Sequence, residues 1–299
     1  MKNQQQILHF KVAEATFTID YQGEFDLRKL LPSYAAFHIK EDDEEHKIFI
    51  LKVQENKVSP IPIGKELGQF DCGGINHGIY LQEDDGYLIL ISNFNSNITC
   101  ALRTSSDFSH CEASLWGDLN EQSFGINNAI MIAFAFAAAY HNIILMHASV
   151  PMHQGGGVLC LGRSGTGKST HSQLWLDNIP NTELLNDDNP AVKYYPDTNE
   201  TIVFGTPWSG KTPCYRNLSV PVKAFLRLEQ YPENIISKEP GIKAFASILS
   251  SCSTMIWDKK SYQAICQTVA KIAECVPVFY LKCLPNSAAA QTSYQAIFQ

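Results

Sequence analysis

Short apolar runs with alternating hydrophobic and polar positions fill the first 120 residues of the chain, and turn-forming clusters such as Asp84-Asp85-Gly86 separate them. Runs of this kind between turn formers are typical of β-strands. The runs are ILHFKV, ATFTIDY, AAFHI, KIFILKV, GIYLQ, YLILI, NITCAL and EASLW. We therefore predict a mainly antiparallel β-rich domain over residues 1–120.

The pattern changes near residue 121, where helix-like and strand-like segments begin to alternate. Apolar runs predict a helix over Asn128–Tyr140 and strands over Ile143–His147 and Val158–Leu161, joined by a glycine turn at 155–157. Further predicted helices cover 168–176, 242–250, 262–273 and the segment from 288, and further strands end at 188 or cover 191–195, 201–204, 223–228 and 276–281. This alternation is typical of α/β folds, so we predict an α/β core over 121–299.

Composition favours a folded intracellular protein. Of the 299 residues, 45% are hydrophobic and 18% are charged, which is enough apolar material for two cores. The nine cysteines show neither CxxC pairs nor metal-ligand spacing with histidine, so we expect reduced thiols rather than disulfides or zinc. The N-terminal segment MKNQQQILHF lacks the apolar run of a secretory signal, and we expect a cytoplasmic location.

Charge and hydropathy argue against nucleic-acid and membrane partners. The net charge is −7, and the acidic excess lies in residues 1–120, so the surface would repel nucleic acid. Residues 126–151 carry no charged side chain, but only Ala129–Tyr140 is continuously apolar. Because a membrane-spanning helix needs about 20 apolar residues, we predict a buried helix there.

GRSGTGKST, residues 162–170, matches the phosphate-binding (Walker A) pattern GxxxxGK[ST] at every defined position, between a predicted strand and a predicted helix. Its glycines let successive N–H groups surround an anion at the N-terminus of the helix. Lys168 supplies a cation for the outer phosphates, and the Ser169 hydroxyl suits a magnesium ion. The predicted nucleotide-binding residues are Gly162, Ser164, Gly165, Thr166, Gly167, Lys168, Ser169 and Thr170.

Two adjacent carboxylates, Asp187 and Asp188, end the predicted strand ELLNDD, and Asn189-Pro190 terminates it. Beside a phosphate loop, one carboxylate can hold magnesium while the other accepts a proton from a hydroxyl nucleophile. The alternative is a polar turn that only caps the strand.

The segments LMHASV, VLCLGRSGTGKST and LLNDDNPAV together resemble the catalytic core of the HPr kinase/phosphorylase family, which shares its phosphate-loop fold with ATP-dependent phosphoenolpyruvate carboxykinase. The resemblance covers roughly residues 143–195. It implies ATP and Mg²⁺ as cofactors, Asp187 as the proton acceptor from a serine, and Asp188 as a metal ligand together with Ser169. It also implies a catalytic role near the phosphates for His147, whose alternative is a structural role at a strand end.

The chain departs from this family at Ala148, where the family has glycine, and at Thr170, where it usually has glutamate. The family segment that grips the acceptor protein is not recognisable here. Residues 205–217, GTPWSGKTPCYRN, resemble a segment of HPr-kinase-related bacterial proteins. Lys211 or Arg216 could neutralise charge on the transferring phosphoryl group, whereas Trp208 suits either a loop over the nucleotide or a packed core position.

These observations predict a magnesium-dependent, ATP-binding serine kinase whose acceptor is a protein, a peptide or a small molecule with a hydroxyl group. Two other hypotheses are a phosphoenolpyruvate carboxykinase-like enzyme, which needs lysine and histidine metal ligands not found here, and a regulatory protein that binds nucleotide without turnover. A second Asp beside the metal-holding one favours transfer. The oligomeric state is left open, a homo-oligomer included.

Overall fold

The computed structural model describes residues 4–55, 64–71, 75–210 and 212–299. The chain forms two compact units, Met1–Ala138 and Ala139–Gln299. The elements of the first unit are β1 (Gln4–Val12), β2 (Ala15–Gly23), α1 (Leu27–Leu30), β3 (His38–Ile39), β4 (Lys47–Glu55), β5 (Lys65–Asp71), β6 (Asn76–Leu81), β7 (Tyr87–Ser92), β8 (Ile98–Thr104), β9 (His110–Leu115) and α2 (Leu119–Ala137), with 3₁₀ helices at Pro32–Phe37 and Glu44–His46.

The first unit is built on one nine-stranded sheet in the order β3-β1-β2-β4-β9-β8-β7-β6-β5. The sheet is mixed, because two neighbouring pairings, β2 with β4 and β4 with β9, are parallel. The other pairings of its strands are antiparallel, so the sheet is mainly antiparallel, as predicted, but not throughout. Parallel neighbours need crossover connections, and the chain makes the first of these through α1 and both 3₁₀ helices. The predicted strand AAFHI begins instead within a 3₁₀ helix that starts at Pro32 and ends at Phe37. Only its last two residues, His38 and Ile39, form a strand.

Helix α2 belongs to the first unit, so the expected boundary near 120 is corrected to 138/139. A capping box starts the helix, because Asp118 accepts from the backbone of Asn120 and Glu121 while Glu121 accepts from the Asp118 N–H. The helix packs against β4, β7, β8 and β9, which explains why the boundary follows it.

By length and composition, Leu119–His141 could span a membrane, since its mean hydropathy reaches 1.4 over the most apolar window. However, 67% of that window is buried inside the protein, as in the core helix of a globular domain. Burial in the protein accounts for the apolar composition without a bilayer.

The elements of the second unit are β10 (Ile143–Leu145), β11 (Ala148–His153), β12 (Gly156–Leu161), α3 (Lys168–Asn178), β13 (Glu183–Asp188), β14 (Ala191–Tyr195), β15 (Glu200–Phe204), β16 (Ser219–Gln230), β17 (Ile235–Lys238), α4 (Ile242–Leu249), α5 (Lys259–Cys275), β18 (Val278–Cys283) and α6 (Ser287–Phe298), with a 3₁₀ turn at Ala138–His141. The predicted strand 143–147 ends earlier than expected, and a new strand, β11, begins directly after His147.

The second sheet has the order β10-β14-β15-β16-β12-β11-β13, and β18 adds to β16 with β17 beside it. Strand β12 is parallel to β16, and β16 to β18. Strand β11 is antiparallel to both of its neighbours, β12 and β13. The strands β12, β13, β16 and β18 therefore point the same way and end at one edge of the sheet. That edge carries the candidate site.

Each face of this sheet is covered by helices. Helices α4 and α5 pack on one face through a cluster that contains Leu161, Phe225 and Ile248. Helices α3 and α6 pack on the other face through a cluster that contains Cys160 and Trp175. We call these the α4 face and the α3 face. Because side chains alternate along a strand, the sequence position decides which face each residue of the edge approaches.

Candidate functional site

The glycine loop, residues 162–167, connects β12 to α3. Its three glycines have positive φ angles of 152° at Gly162, 79° at Gly165 and 105° at Gly167, a region that other residues enter only with strain. Thr166 closes the loop by donating from its amide and its hydroxyl to the carbonyl of Arg163, at 3.1 Å and 2.6 Å. The loop conformation is therefore determined locally by these residues.

Helix α3 begins at Lys168 with no side-chain cap among the described residues. Its first N–H groups are thus available to an anion, and the helix dipole favours negative charge there. Ser169 and Thr170 are exposed in this first turn. The arrangement can bind phosphate oxygens through main-chain N–H groups.

Lys168 folds back over the loop. Its side chain is 8% exposed, and Nζ donates to the carbonyl of Gly162 at 3.0 Å and approaches that of Arg163 at 3.4 Å. Burial lowers the pKa of Lys168, while the nearby carboxylates of Asp188 and Asp187 act in the opposite direction. The positive charge of the Lys168 ammonium group therefore interacts favourably with both aspartates.

Strand β11 positions the aspartates relative to the loop. Ala148 pairs with Leu161 on one side and with Asp188 on the other, and Ser149 lies between Cys160 and Asp187. Two strand spacings, about 10 Å, thus separate the end of β12 from the end of β13 along the backbone. The predicted proximity of loop and carboxylates is produced by this register.

Asp187 lies on the α3 face. It flanks Ser149, whose hydroxyl bonds to Ser172 of α3 at 2.7 Å, and it interacts electrostatically with Lys168 and with Cys160. The residue is 3% exposed, and its Oδ1 has no hydrogen-bond partner among the described residues. Burying an unpartnered carboxylate oxygen is costly. Such an atom is suited to receive a cation or a hydroxyl proton.

The pairing of β11 with β13 contains a bulge between Val150 and Pro151, where the partner changes from Asn186 to Leu184. One residue of β13 is thereby skipped. Proline lacks a ladder donor and is found in sheets at such irregularities. The bulge sets the register of the last residues of β13.

Asp188 has φ 150°, which is strained for a residue with a side chain. Its Oδ1 lies 3.1 Å from Nε2 of His147, and its Oδ2 accepts from Nδ2 of Asn189 at 2.9 Å. The backbone N–H of His147 donates to the carbonyl of Ser251 at 2.7 Å, just after α4. His147 therefore approaches the aspartate pair through Asp188.

The segment after β15 is fixed to the end of β13 by buried hydrogen bonds. Nδ2 of Asn186 donates to the Trp208 carbonyl at 3.1 Å and to the Thr206 hydroxyl at 3.2 Å. The N–H of Gly210 donates to the Asp187 carbonyl at 2.5 Å. Asn186 is completely buried and is not among the predicted site residues. The visible signal for it is a polar residue directly after the apolar pair Leu184-Leu185 of the predicted strand.

Trp208 is 2% exposed, so of its two expected roles the buried one is observed. Lys211, predicted to be catalytic, lies outside the described residues. Arg216 donates to Glu183 at 2.5 Å, at the far end of β13 from the aspartates. Five residues of extended strand correspond to about 16 Å, so this ion pair places Arg216 away from the site.

A magnesium ion fits the side chains at this edge. Hard cations prefer carboxylate, hydroxyl and water oxygens, and magnesium keeps several waters, so one or two protein ligands suffice. Ser169, Asp188 and the unpartnered oxygen of Asp187 supply such oxygens. Among the described residues no group of three or more His, Cys, Asp and Glu side chains has an arrangement that could hold a metal ion.

All eight described cysteines are free thiols, and burial weakens the acidity of the two that interact electrostatically with Asp187, Cys160 and Cys214. Burial raises the pKa of Cys160 to about 12. Cys214 donates to the carbonyl of Leu185 at 3.3 Å, and burial raises its pKa as well. A thiol with a raised pKa is a poor nucleophile, as expected from the sequence.

Comparison with known proteins adds one likeness. No protein-family model matches the chain, and no curated protein matches it in sequence. Among solved structures, the chain is similar to the HPr(Ser) kinase/phosphatase from Coxiella burnetii, at 16% sequence identity over 51% of this chain and 94% of that chain. The TM-score is 0.31, which does not establish a common fold.

Proposed function

We propose that this protein is a magnesium-dependent kinase that transfers the γ-phosphoryl group of ATP to a hydroxyl, with a serine of a protein or peptide as the acceptor. One observation carries the proposal: Asp187 is buried beside a lysine-capped glycine loop, and one of its carboxylate oxygens has no partner among the described residues. A carboxylate in this position matches the need for a base next to bound phosphates.

The phosphates are proposed to bind the N–H groups of residues 162–170. Lys168 then exchanges its bonds to the loop carbonyls for bonds to the outer phosphate oxygens, since an ammonium forms stronger hydrogen bonds to an anion than to a neutral carbonyl. Ser169 and Asp188 would hold Mg²⁺, which supplies neutralising charge to the phosphate oxygens when bound. His147 orients Asp188.

In the proposed transfer, Asp187 accepts the proton of the acceptor hydroxyl. The hydroxyl oxygen forms a bond to the γ-phosphorus, the bond from that phosphorus to the bridging oxygen breaks, and ADP leaves with that electron pair. The buried carbonyl of Asp187 is held by Gly210, which fixes the carboxylate relative to the loop. This arrangement favours transfer over a nucleotide-binding role without turnover, because a pure binder has no use for the unpartnered oxygen.

Phosphoryl transfer to proteins of a host extract, with γ-labelled ATP and Mg²⁺, tests this proposal. We expect labelled seryl products with the unmodified protein and none with Asp187→Asn, which keeps the shape of the side chain but removes the base. Asp197→Asn, an exposed aspartate after β14, is the matched control. Undiminished labelling by Asp187→Asn would refute the proposed base, and the labelled species identifies the acceptor.

The kinase-like character of the second unit and a cytoplasmic location belong to the same proposal. We also propose the first unit as a part of the protein that could recognise the acceptor. Absence of nucleic-acid and membrane partners and the oligomeric state stay predictions from the sequence.

A further inference from the structure

A cleft of about 590 Å³ opens on the α4 face of the second unit. It lies between α4 and the strands β16, β17 and β18. Its charged and aromatic lining consists of Arg227, Lys238, Glu239, Lys243 and Tyr280. We call this the basic cleft. Its volume lies within the range of small-ligand sites.

Three basic residues, Arg227, Lys238 and Lys243, and one acidic residue, Glu239, line the basic cleft, in a chain whose net charge is −7. Glu239 accepts from the Ser247 hydroxyl at 2.5 Å, and Arg227 donates to the Ser250 hydroxyl at 2.7 Å. Lys238 and Lys243 form no ion pair with any described residue. Uncompensated cations concentrated in a concave site favour an anionic ligand.

The basic cleft adjoins the candidate site. Arg227 of β16 pairs in register with Leu161, the last residue of β12 before the glycine loop. It also bonds to Ser250, the residue before Ser251, whose carbonyl holds the backbone of His147. One strand spacing, about 4.8 Å, therefore separates the backbone of the cleft from that of the phosphate-binding edge.

The two faces of the sheet divide the site. Asp187 and α3, which follows the loop, lie on the α3 face, whereas His147 contacts the end of α4 on the opposite face. Arg227 lies between Leu226 and Leu228, which pack on the α3 face, so its side chain faces α4. Under the proposed function the acceptor hydroxyl meets Asp187 at the end of β13. The cleft on the α4 face is therefore placed for a neighbouring group of the acceptor rather than for the hydroxyl itself.

We infer that the basic cleft binds a carboxylate of the phosphoryl acceptor, and that the acceptor is an acidic peptide segment with a serine close to its acidic residues. The inference rests on the proposed kinase function for the role of the serine. Binding of an acidic segment is measured without turnover, so it is tested separately. Lys238 and Lys243 act as specificity-determining residues because both are exposed and carry unpaired charge.

The probes are three seven-residue peptides with a central serine, flanked by aspartates, asparagines or lysines and otherwise identical. Isothermal titration calorimetry at fixed ionic strength measures their affinity for the full chain. Two charge-assisted hydrogen bonds should make the aspartate peptide bind at least about tenfold more tightly than the asparagine peptide. Affinities within about twofold of each other, or no binding at about 1 mM, would overturn the inference.

The Lys238→Ala/Lys243→Ala double variant should bind the aspartate peptide about tenfold more weakly than the unmodified protein does. Lys259→Ala/Lys260→Ala removes two exposed lysines at the start of α5 and is the matched control. An equal loss in both variants would point to net charge alone and would overturn the assignment to the cleft. If equimolar N-acetylaspartate displaces the peptide, the cleft binds a small acid, and the inference of a peptide acceptor is overturned.

The melting temperature with ATP and Mg²⁺ separates the two proposals. The cleft variant should keep the nucleotide-induced rise of the unmodified protein. A rise without peptide discrimination would overturn the acidic acceptor and leave the kinase standing. Discrimination without a rise would overturn the kinase, and with it the role of the cleft in transfer.

Discussion

The Nε2 atom of His147 lies 3.1 Å from Oδ1 of Asp188, so an imidazole just before β11 contacts a carboxylate at the end of β13. The other oxygen of that carboxylate is held by Asn189. Both oxygens therefore have protein partners, in contrast to Oδ1 of Asp187. The two adjacent carboxylates occupy different environments, and we expect them to differ in function.

His147→Ala should lower phosphoryl transfer by about tenfold, because residues that orient a metal-holding carboxylate typically contribute 10- to 100-fold to activity. The loss should appear as a raised magnesium requirement, measured by titrating Mg²⁺ at saturating ATP. His147→Gln, which can donate to the same carboxylate, should recover part of the activity. An unchanged magnesium requirement in His147→Ala would contradict the orienting role.

Gly210→Ala should impair transfer without unfolding the protein. A Cβ at this position would lie 3.0 Å from the carbonyl oxygen of Asp187 and 3.2 Å from Cβ of Asp188, so the segment must shift away from the end of β13. We expect kcat to fall while the melting temperature changes little, since the segment lies at the sheet edge. The two quantities are measured on the same preparation, and an unaltered kcat would show that this contact does not position Asp187.

Lys168→Ala should abolish the rise in melting temperature that ATP and Mg²⁺ produce. For the unmodified protein, nucleotide at 100 times Kd stabilises the folded state by about 2.7 kcal/mol. Lys260→Ala, an exposed lysine at the start of α5, should leave the rise intact. A rise of equal size in Lys168→Ala would remove the basis for phosphate binding by the loop.

Nucleotide affinity should fall at high pH because of Lys168. Burial lowers its pKa below the ordinary value of a lysine, so the ammonium loses its proton, and its attraction for phosphate, at a lower pH than a solvent-exposed lysine would. Affinity is full below the lowered pKa and decreases as pH rises through it. Titrating ATP affinity between neutral and alkaline pH, with Lys168→Arg as the comparison, measures this. The Arg variant should lack the decrease.

Acid should destabilise the protein partly through His171. Burial lowers the pKa of this residue from 6.5 to about 4, and its Nε2 accepts from Nε1 of Trp175 at 3.2 Å. Because the folded pKa is the lower one, the unfolded chain binds the extra proton, and stability falls as pH decreases from about 6.5 to 4. The contribution is on the order of 3 kcal/mol. Urea unfolding across this range should show a shallower decline for His171→Gln.

The glycine loop and most elements of the second unit were predictable because their signals are local. Gly162 to Thr170 form a contiguous pattern, and the amides that it contributes lie within one turn and the start of one helix. The predicted helix from Lys168 and strand 191–195 also agree with the structure in position. Signals of this kind need no knowledge of distant partners.

The parts that depend on distant pairing were not predictable. Strand β11 was absent from the prediction, yet its register is what brings Asp187 and Asp188 near the loop. The basic cleft joins β16, β17, α4 and β18, so no single window of the sequence contains it. Likewise, the predicted boundary at residue 120 places α2 in the second domain, whereas the helix belongs to the first unit. Its apolar residues indicate that the helix is buried, but they do not indicate which sheet it covers.

The bulge at Pro151 explains why the carboxylates of Asp187 and Asp188 lie in different environments. Because neighbouring side chains of a strand point in opposite directions, the skipped residue decides which aspartate turns toward the α3 face. Without the bulge, the same residues would pair Asp187 with Ala148, and the two carboxylates would exchange faces. Two residues of the same chemistry thus lie in different surroundings because of one irregularity in the pairing of their strand.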